Sequence, residues 1–216
     1  MPYLVSSIIA IVAALIILMT RYEADDSAIT TEIERAKSMF ITIDGFVNTY
    51  IQSGGNITGG TPQYEKLNFA TLYKNGILLG NISKVNILNV NLDDNKQAKD
   101  EADINKFFES QLQFPNNKIV WQIVPIVSYT VTDYKSRVID LSKSLGAGYQ
   151  LFVDFSKNTT LMSKDGFSEI FFGKEICEKE LFGSFINNAI SISSTDQTLS
   201  LGGTNKDGKF ACIIFK

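Results

Sequence analysis

Residues 3–19 (YLVSSIIAIVAALIILM) form one apolar run in which Ser6 and Ser7 are the polar members. The run meets the lower limit of about 17 residues for crossing a hydrocarbon core as a helix. Pro2 precedes it at a position that the first turn of a helix tolerates, and Thr20 and Arg21 end it. The pattern then changes. Ile29, Ile33, Ala36, Phe40, Ile43, Val47 and Tyr50 recur at steps of 4, 3, 4, 3, 4 and 3. Such spacing draws one apolar seam along a helix and assigns Glu32, Glu34, Arg35, Lys37 and Asp44 to its solvated remainder. No turn residue separates the two patterns, so the sequence predicts a single helix over residues 3–51, about 70–75 Å long at 1.5 Å rise per residue. Gly45 is a local weak point and a place for a bend, and Gly54 and Gly55 supply a C-terminal stop. The seam either packs on the chain's own domain or pairs with another helix as a coiled coil.

Residues 54–61 (GGNITGGT) carry turn chemistry at both ends and Pro62 closes them, which marks a linker. The chain therefore divides into a transmembrane part of the helix (1–20), its amphipathic continuation (21–53), a linker (54–62) and a globular domain (63–216). Within that domain Leu88, Val90 and Leu92 alternate with Asn89 and Asn91, as in a half-buried strand. Residues 100–112 read as a short amphipathic helix, with Ile104, Phe107, Phe108 and Leu112 on one side. The apolar run 118–131 is strand-like, and Pro125 makes it an edge strand or a bulged one. Residues 136–145 suit a helix ended by Gly146. Tyr149, Leu151, Val153 and Phe155 alternate with Gln150 and Asp154 in a clear strand, and residues 199–215 read as a hairpin turning at Asp207-Gly208. Short turns between strands, rather than regular helical crossovers, indicate an α+β fold with a mainly antiparallel sheet.

Charge sharpens the division at the helix. No Lys, Arg, Asp or Glu lies among the first 20 of the 216 residues. The lack of a basic flank and of a small-x-small cleavage site favours a retained anchor over a removed secretory signal. A net charge of -3 offers no basic face to replace phosphate counterions, so no nucleic-acid partner is expected. The chain has no histidine, which removes the commonest general base, every Ser-His or Cys-His nucleophile pair and all imidazole metal sites. No catalytic residue, metal site or cofactor is predicted, and the expectation is a non-enzyme.

Cys177 and Cys212 are the two cysteines. Beyond an export anchor two cysteines most simply pair, although two buried free thiols would also fit the count. An apolar N-terminal segment, a heptad-like amphipathic helix, a loop, an antiparallel sheet and a cysteine-bounded C-terminal region resemble in layout the type IV pilins and type II secretion pseudopilins. The resemblance is one of architecture. It implies a long, partly transmembrane N-terminal helix packed on the sheet domain. In that family Val5, Ile8, Ile11, Leu15 and Leu18 would contact membrane lipid before assembly and neighbouring subunits after it, since a segment stable in lipid stays stable among similar segments. Position 5 is Val5 where most members carry glutamate, and this departure points to a minor subunit. The implied partners are other pilin-like subunits or the secretion and assembly machinery, and the implied roles are filament assembly, secretion or adhesion. The implied location is the inner membrane, with a periplasmic domain that can enter a surface filament. The competing reading is a single-pass protein whose exported domain binds a partner or ligand outside any filament.

Remaining motifs have bland readings beside sharper ones. Asp93, Asp94, Asn95, Asp100, Glu101 and Asp103 offer hard oxygen ligands suited to calcium, but without EF-hand spacing they read as a solvated loop and helix N-terminal charges. Gly146-Ala147-Gly148 reads as a turn rather than a phosphate loop. Asn56, Asn81 and Asn158 begin N-x-Ser/Thr sequons. Phe171, Phe172, Phe182 and Phe185 read as core or as a partner-binding patch.

Overall fold

The computed structural model describes residues 2–57, 67–78, 87–88, 111–113, 118–126, 130–132, 138–140, 147–192, 199–204 and 206–216. One helix, α1, occupies Pro2–Gln52 without interruption, through Gly45 included. Four of its threonines return their hydroxyls to the carbonyl four residues back, Thr30 to Asp26, Thr31 to Ser27, Thr42 to Ser38 and Thr49 to Gly45. Their polar groups are thereby satisfied within the helix rather than competing with it. The stop falls where the glycines predict it. Gly54 adopts φ +86°, its N–H donates to the Ile51 carbonyl, and the Gly55 N–H donates to the Tyr50 carbonyl. These two bonds form the Schellman arrangement that needs a left-handed residue, a conformation that glycine adopts without steric cost.

The seam turns inward onto the chain's own domain. Ile29, Ile33, Ala36, Phe40, Ile43, Val47 and Tyr50 are all buried in one cluster with Trp121, Ile123, Tyr149, Leu151, Val153, Phe210, Cys212 and Ile214. At about 2 kcal/mol per buried large apolar side chain, Ile29, Ile33, Phe40, Ile43 and Val47 contribute roughly 10 kcal/mol of gross stabilisation, an upper bound.

The sheet under α1 has six strands, β1 (Ile87–Leu88), β2 (Gln111–Gln113), β3 (Val120–Pro125), β6 (Gly148–Asp154), β10 (Lys209–Phe215) and β7 (Ser184–Ile186), in that spatial order. Each neighbouring pair in it is antiparallel. Two smaller antiparallel pairs join β4 (Thr130–Thr132) to β5 (Val138–Asp140) and β8 (Ala189–Ile192) to β9 (Leu199–Leu201). A short helix α2 (Phe69–Lys74) follows the linker region and is capped by Asn68, whose side chain accepts from the Thr71 N–H. The fold is thus α+β with an antiparallel sheet.

Several local expectations are corrected. The segment 199–215 is not a hairpin, because β9 pairs with β8 while β10 pairs with β6 and β7. Val138–Asp140 is a strand where a helix was expected, with Ile139 opposite Val131, a pairing of β-branched residues that suits a pleated ribbon. Gln111–Gln113 is a strand at what was read as a helix end, whereas residues 100–110 lie outside the described residues. β3 is an interior strand at Val120 and Trp121, which pair with both β2 and β6. Pro125 is its last residue and pairs with Tyr149, beyond the described β2 contact, so its missing N–H costs no ladder bond there. Strand β6 is buried on both faces. Leu151 and Val153 face the α1 cluster, while Phe152 joins Val124, Ala189, Ile192 and Ala211 in a second cluster. In the linker Ile57 is buried, and residues 58–62 lie outside the described residues.

Candidate functional site

At the N-terminal end of α1 the side chains of Ile11, Val12, Leu15, Ile16 and Ile17 are exposed. Those of Val5, Ile8 and Leu18 lie outside the described residues, as do the side chains of 2–10 and 18–25 generally. Among the described residues no helix is long and apolar enough to cross a membrane. The exposed stretch differs from the rest of α1 in kind. Around Phe40 one side of the helix meets protein, whereas at residues 11–17 every side is uncovered.

Where α1 meets the sheet, one polar group enters the apolar contact. Asp44 is buried, although the heptad pattern assigned it to solvent. It lies beside Ile43 and one turn from Phe40 and Val47, at the edge of the seam. Its Oδ1 accepts from the Tyr149 hydroxyl at 2.5 Å and forms an ion pair with Lys216 Nζ at 2.7 Å, and its Oδ2 accepts from Asn48 Nδ2 at 2.8 Å. Lys216 reaches it because β10 ends beside β6, where the Lys216 N–H donates to the Ala147 carbonyl. Burial, then the Asp44 charge, push the Tyr149 hydroxyl well above the usual tyrosine value. A tyrosine that serves as base or nucleophile needs the opposite shift. The cluster therefore joins helix, central strand and C-terminus, and it presents no activated group.

The C-terminal region builds the second notable surface. After helix α3 (Thr159–Met162), capped by the Asn158 side chain, an α-helical turn at Asp165–Ser168 runs into two π-helical stretches, Glu169–Lys174 and Ile176–Glu180. π-Helical geometry is rare and concentrates at functional sites. The inward residues recur in pairs, Ser168 with Glu169, Phe172 with Gly173 and Ile176 with Cys177. A repeat of four suits a helix wider than the usual 3.6 residues per turn. Cys177 is joined to Cys212 with Cα atoms 5.8 Å apart, which ties this helix to the centre of β10. Glu169, also buried, accepts from the N–H groups of Gly208 and Lys206 at 3.2 and 3.3 Å. Burial raises its carboxyl above the usual range against the lowering pull of those two donors. The Asp207-Gly208 turn thus serves a third element instead of joining paired strands. Gly208 has φ +77°, and a Cβ there would lie 2.6 Å from Met162 Sδ and 2.9 Å from the Ser156 backbone.

The phenylalanines divide. Phe172 is buried and meets Phe155 and Phe210 edge-on, each with ring centroids 5.3 Å apart. Phe185 packs against the same cluster, while Phe171 and Phe182 are exposed. Sequence reading missed Phe167 and Ile170, which are also exposed, and the i, i+3, i+4 spacing of Phe167, Ile170 and Phe171 is the signal that marks them as one face. A groove of about 410 Å³ between α1 and α3 is lined by Asp26, Ala28, Ile29, Thr159, Thr160, Ser163 and Lys164, and Lys164 is paired across it with Asp26.

The other candidates separate cleanly. Asn158 is buried and its amide donates to Glu32 Oε1 at 3.1 Å, so that sequon is closed to modification in the folded chain. Asn56 is exposed, and Asn81 lies outside the described residues, as do the acidic residues from Asp93 to Asp103 and Gly146. Gly148 begins β6. Among the described residues no group of three potential ligands is placed to hold a metal ion. No family model, curated protein or solved structure matches the chain.

Proposed function

We propose that the protein is a minor, non-catalytic subunit of a type IV pilus or pseudopilus, stored in the inner membrane by the first part of α1. Its domain then lies in the periplasm until the subunit joins a filament. The observation that carries this reading is the division of one uninterrupted helix. Its later half is buried against an antiparallel sheet, while its earlier half leaves Ile11, Val12, Leu15, Ile16 and Ile17 uncovered. A long apolar helix end left exposed among the described residues needs either lipid or other such helices around it, and the same surface suits both. The apolar sequence 3–19 has the length for the first. The lack of histidine and the raised value of the Tyr149 hydroxyl support a structural role.

Val5 favours a second reading, since a neutral position 5 offers no charge to meet a neighbour's terminal amine. In that case the chain is a single-pass protein whose exported domain binds its partner outside any filament. Cross-linking in cells between cysteines placed at positions 5, 8, 11, 15 and 18 and a co-expressed pilin-like protein separates the two. Helix-to-helix adducts support the filament subunit. Absence of adducts, together with no filament or secretion defect on deletion, transfers the assignment to the independent anchored domain.

A further inference from the structure

We propose that the Cys177–Cys212 bond is a maturation latch: closing it draws the helical segment Asp165–Glu180 from an α-helical into its π-helical register and so sets which side chains the segment displays. Export, as read above, supplies the oxidising compartment on which the timing rests, whereas the geometry belongs to the folded chain alone. Two attachments fix the direction of the segment. Glu169 accepts from the N–H groups of Gly208 and Lys206, and Cys177 is bonded to Cys212. Both side chains therefore face β10 and the turn before it, eight residues apart along the helix. An α-helix turns 100° per residue, which over eight residues leaves Cys177 about 80° from the direction of Glu169. A repeat of four completes two turns over the same eight residues and aligns them.

That repeat is the one observed. Ser168 and Glu169, Phe172 and Gly173, and Ile176 and Cys177 are buried, while Ile170 and Phe171, then Glu178 and Lys179, are exposed. The α-helix is the common form and the π-helix the rare one, so the second attachment selects the register. The sequence suits the other register equally. At 100° per residue Glu169, Phe172 and Ile176 fall within about 60° of one another, so an α-helix keeps the same three side chains inward. Opposite them Phe167, Ile170, Phe171, Cys177 and Leu181 fall in a sector about 120° wide, with Lys174 and Glu178 among them. Before the bond closes, Cys177 thus belongs to an outward apolar stripe.

Closing the bond turns Cys177 inward and splits that stripe, leaving Phe167 and Phe171 stacked with ring centroids 4.1 Å apart. It also carries Glu175 to within 3.9 Å of Lys37 on α1, a contact that the α register, about 60° away at this position, lacks. Both sulfurs are fully buried, so the bond forms while the segment is still open. In that step two thiols give up two protons and two electrons to a disulfide-exchange protein, whose own disulfide becomes a dithiol.

The test reads the register by pulsed electron spin resonance in the full chain in non-ionic detergent. p-Acetylphenylalanine placed at Ile41 of α1 and at either Glu178 or Ile170, all exposed, takes a nitroxide without using cysteine. The bridged chain is compared with its Cys177→Ala/Cys212→Ala variant and with the same chain refolded in dithiothreitol, which keeps both sulfurs. Emission of the buried Trp121 reports that the domain is folded. With Glu169 as the remaining attachment, the label at position 178 swings by about 90°, and at roughly 8 Å from the helix axis it moves about 11 Å. The expected result is a change of at least ~5 Å in the 41–178 distance, with the 41–170 distance constant within ~2 Å. An unchanged 41–178 distance in a folded, unbridged chain overturns the proposal and assigns the π register to packing alone. Broad distributions at both positions, or loss of the folded domain in both unbridged samples, overturn it as well, since the bond then holds the segment without choosing its register. None of these results touches the anchored reading, which flotation of the chain with lipid vesicles decides.

Discussion

Replacing Asp44 tests how α1 is held to the sheet. The Asp44→Ala change removes a carboxylate that accepts hydrogen bonds from Tyr149 and Asn48 and forms an ion pair with Lys216. The buried Tyr149 hydroxyl then loses its partner at a cost of about 1–3 kcal/mol. Loss of the Lys216 contact adds about 1 kcal/mol, a value discounted because its side chain is 23% exposed and rehydrates. Alanine recovers roughly 0.6 kcal/mol through its higher helix propensity. The net expectation is a destabilisation of roughly 1.5–3.5 kcal/mol, its upper end reaching the range for breaking a buried ion pair. Urea unfolding of the full chain in non-ionic detergent, followed by the fluorescence of Trp121, reads it as a midpoint shift of roughly 1–2 M. Asp44→Asn keeps an acceptor for Tyr149 and is expected to cost about half as much. A double-mutant cycle of Asp44→Asn with Lys216→Met should give a coupling near 1 kcal/mol. A shift below about 0.5 kcal/mol for Asp44→Ala, or a coupling indistinguishable from zero, refutes the assignment of these contacts as a stabilising junction.

Tyr149 has a raised folded value against 10.0 unfolded. Its contribution is therefore intact below pH 10 and is lost as the pH rises towards the folded value, because the unfolded chain releases that proton first. Relative to Tyr149→Phe, wild-type stability should fall by about 1.4 kcal/mol per pH unit in that window, as read by urea titrations between pH 9 and 11. The Cys177–Cys212 bridge closes 35 residues, for which chain entropy gives about 4 kcal/mol as an upper value. The double alanine variant should unfold at lower urea, and reductant should act only once urea exposes the sulfurs. Phe40→Ala empties a site between Trp121 and Phe210, whose ring centroids lie 5.7 and 6.3 Å away. It should cost about 3–5 kcal/mol and red-shift the Trp121 emission, whereas an unshifted spectrum would place Trp121 away from this contact.

What the sequence discloses is what neighbours along the chain decide. The seam from Ile29 to Tyr50 and the stop at Gly54 are local periodicity and local backbone geometry, and both stand in the structure. The strand β6 was equally plain, but its burial on both faces was hidden. Gln150 looks like a solvent position yet is buried, and the second layer, which meets β6 at Phe152, comes from β8 and β9, some forty residues on. Pairing failed for the same reason. Asp207-Gly208 does turn the chain, yet Glu169 takes the N–H groups of Lys206 and Gly208, and β10 finds β6 instead of β9. The π-helical segment carries its signal in pairs every four residues, a period that neither strand nor α-helix templates match. Asp44 escaped notice because a charged residue at a seam's edge is ordinarily solvated, and its partners Tyr149 and Lys216 are more than a hundred residues away.

This division of α1 bears on how substitutions should be interpreted. The seam is already consumed by Trp121, Leu151 and Phe210, so a neighbouring subunit can reach it only by unfolding the domain. A change there, such as Phe40→Asp, acts through stability and alters every downstream property together. A size-conserving change at Ile11 or Leu15 touches no packed neighbour among the described residues, and so leaves domain stability unchanged whether lipid or another helix is outside. Assembly defects that appear at Ile11 or Leu15 with an unaltered unfolding midpoint therefore report on helix partners alone. Defects confined to Phe40 or Val47 carry no information about them. Separating the two classes by stability first is what lets a mutational scan of this helix distinguish a filament subunit from a solitary anchored domain.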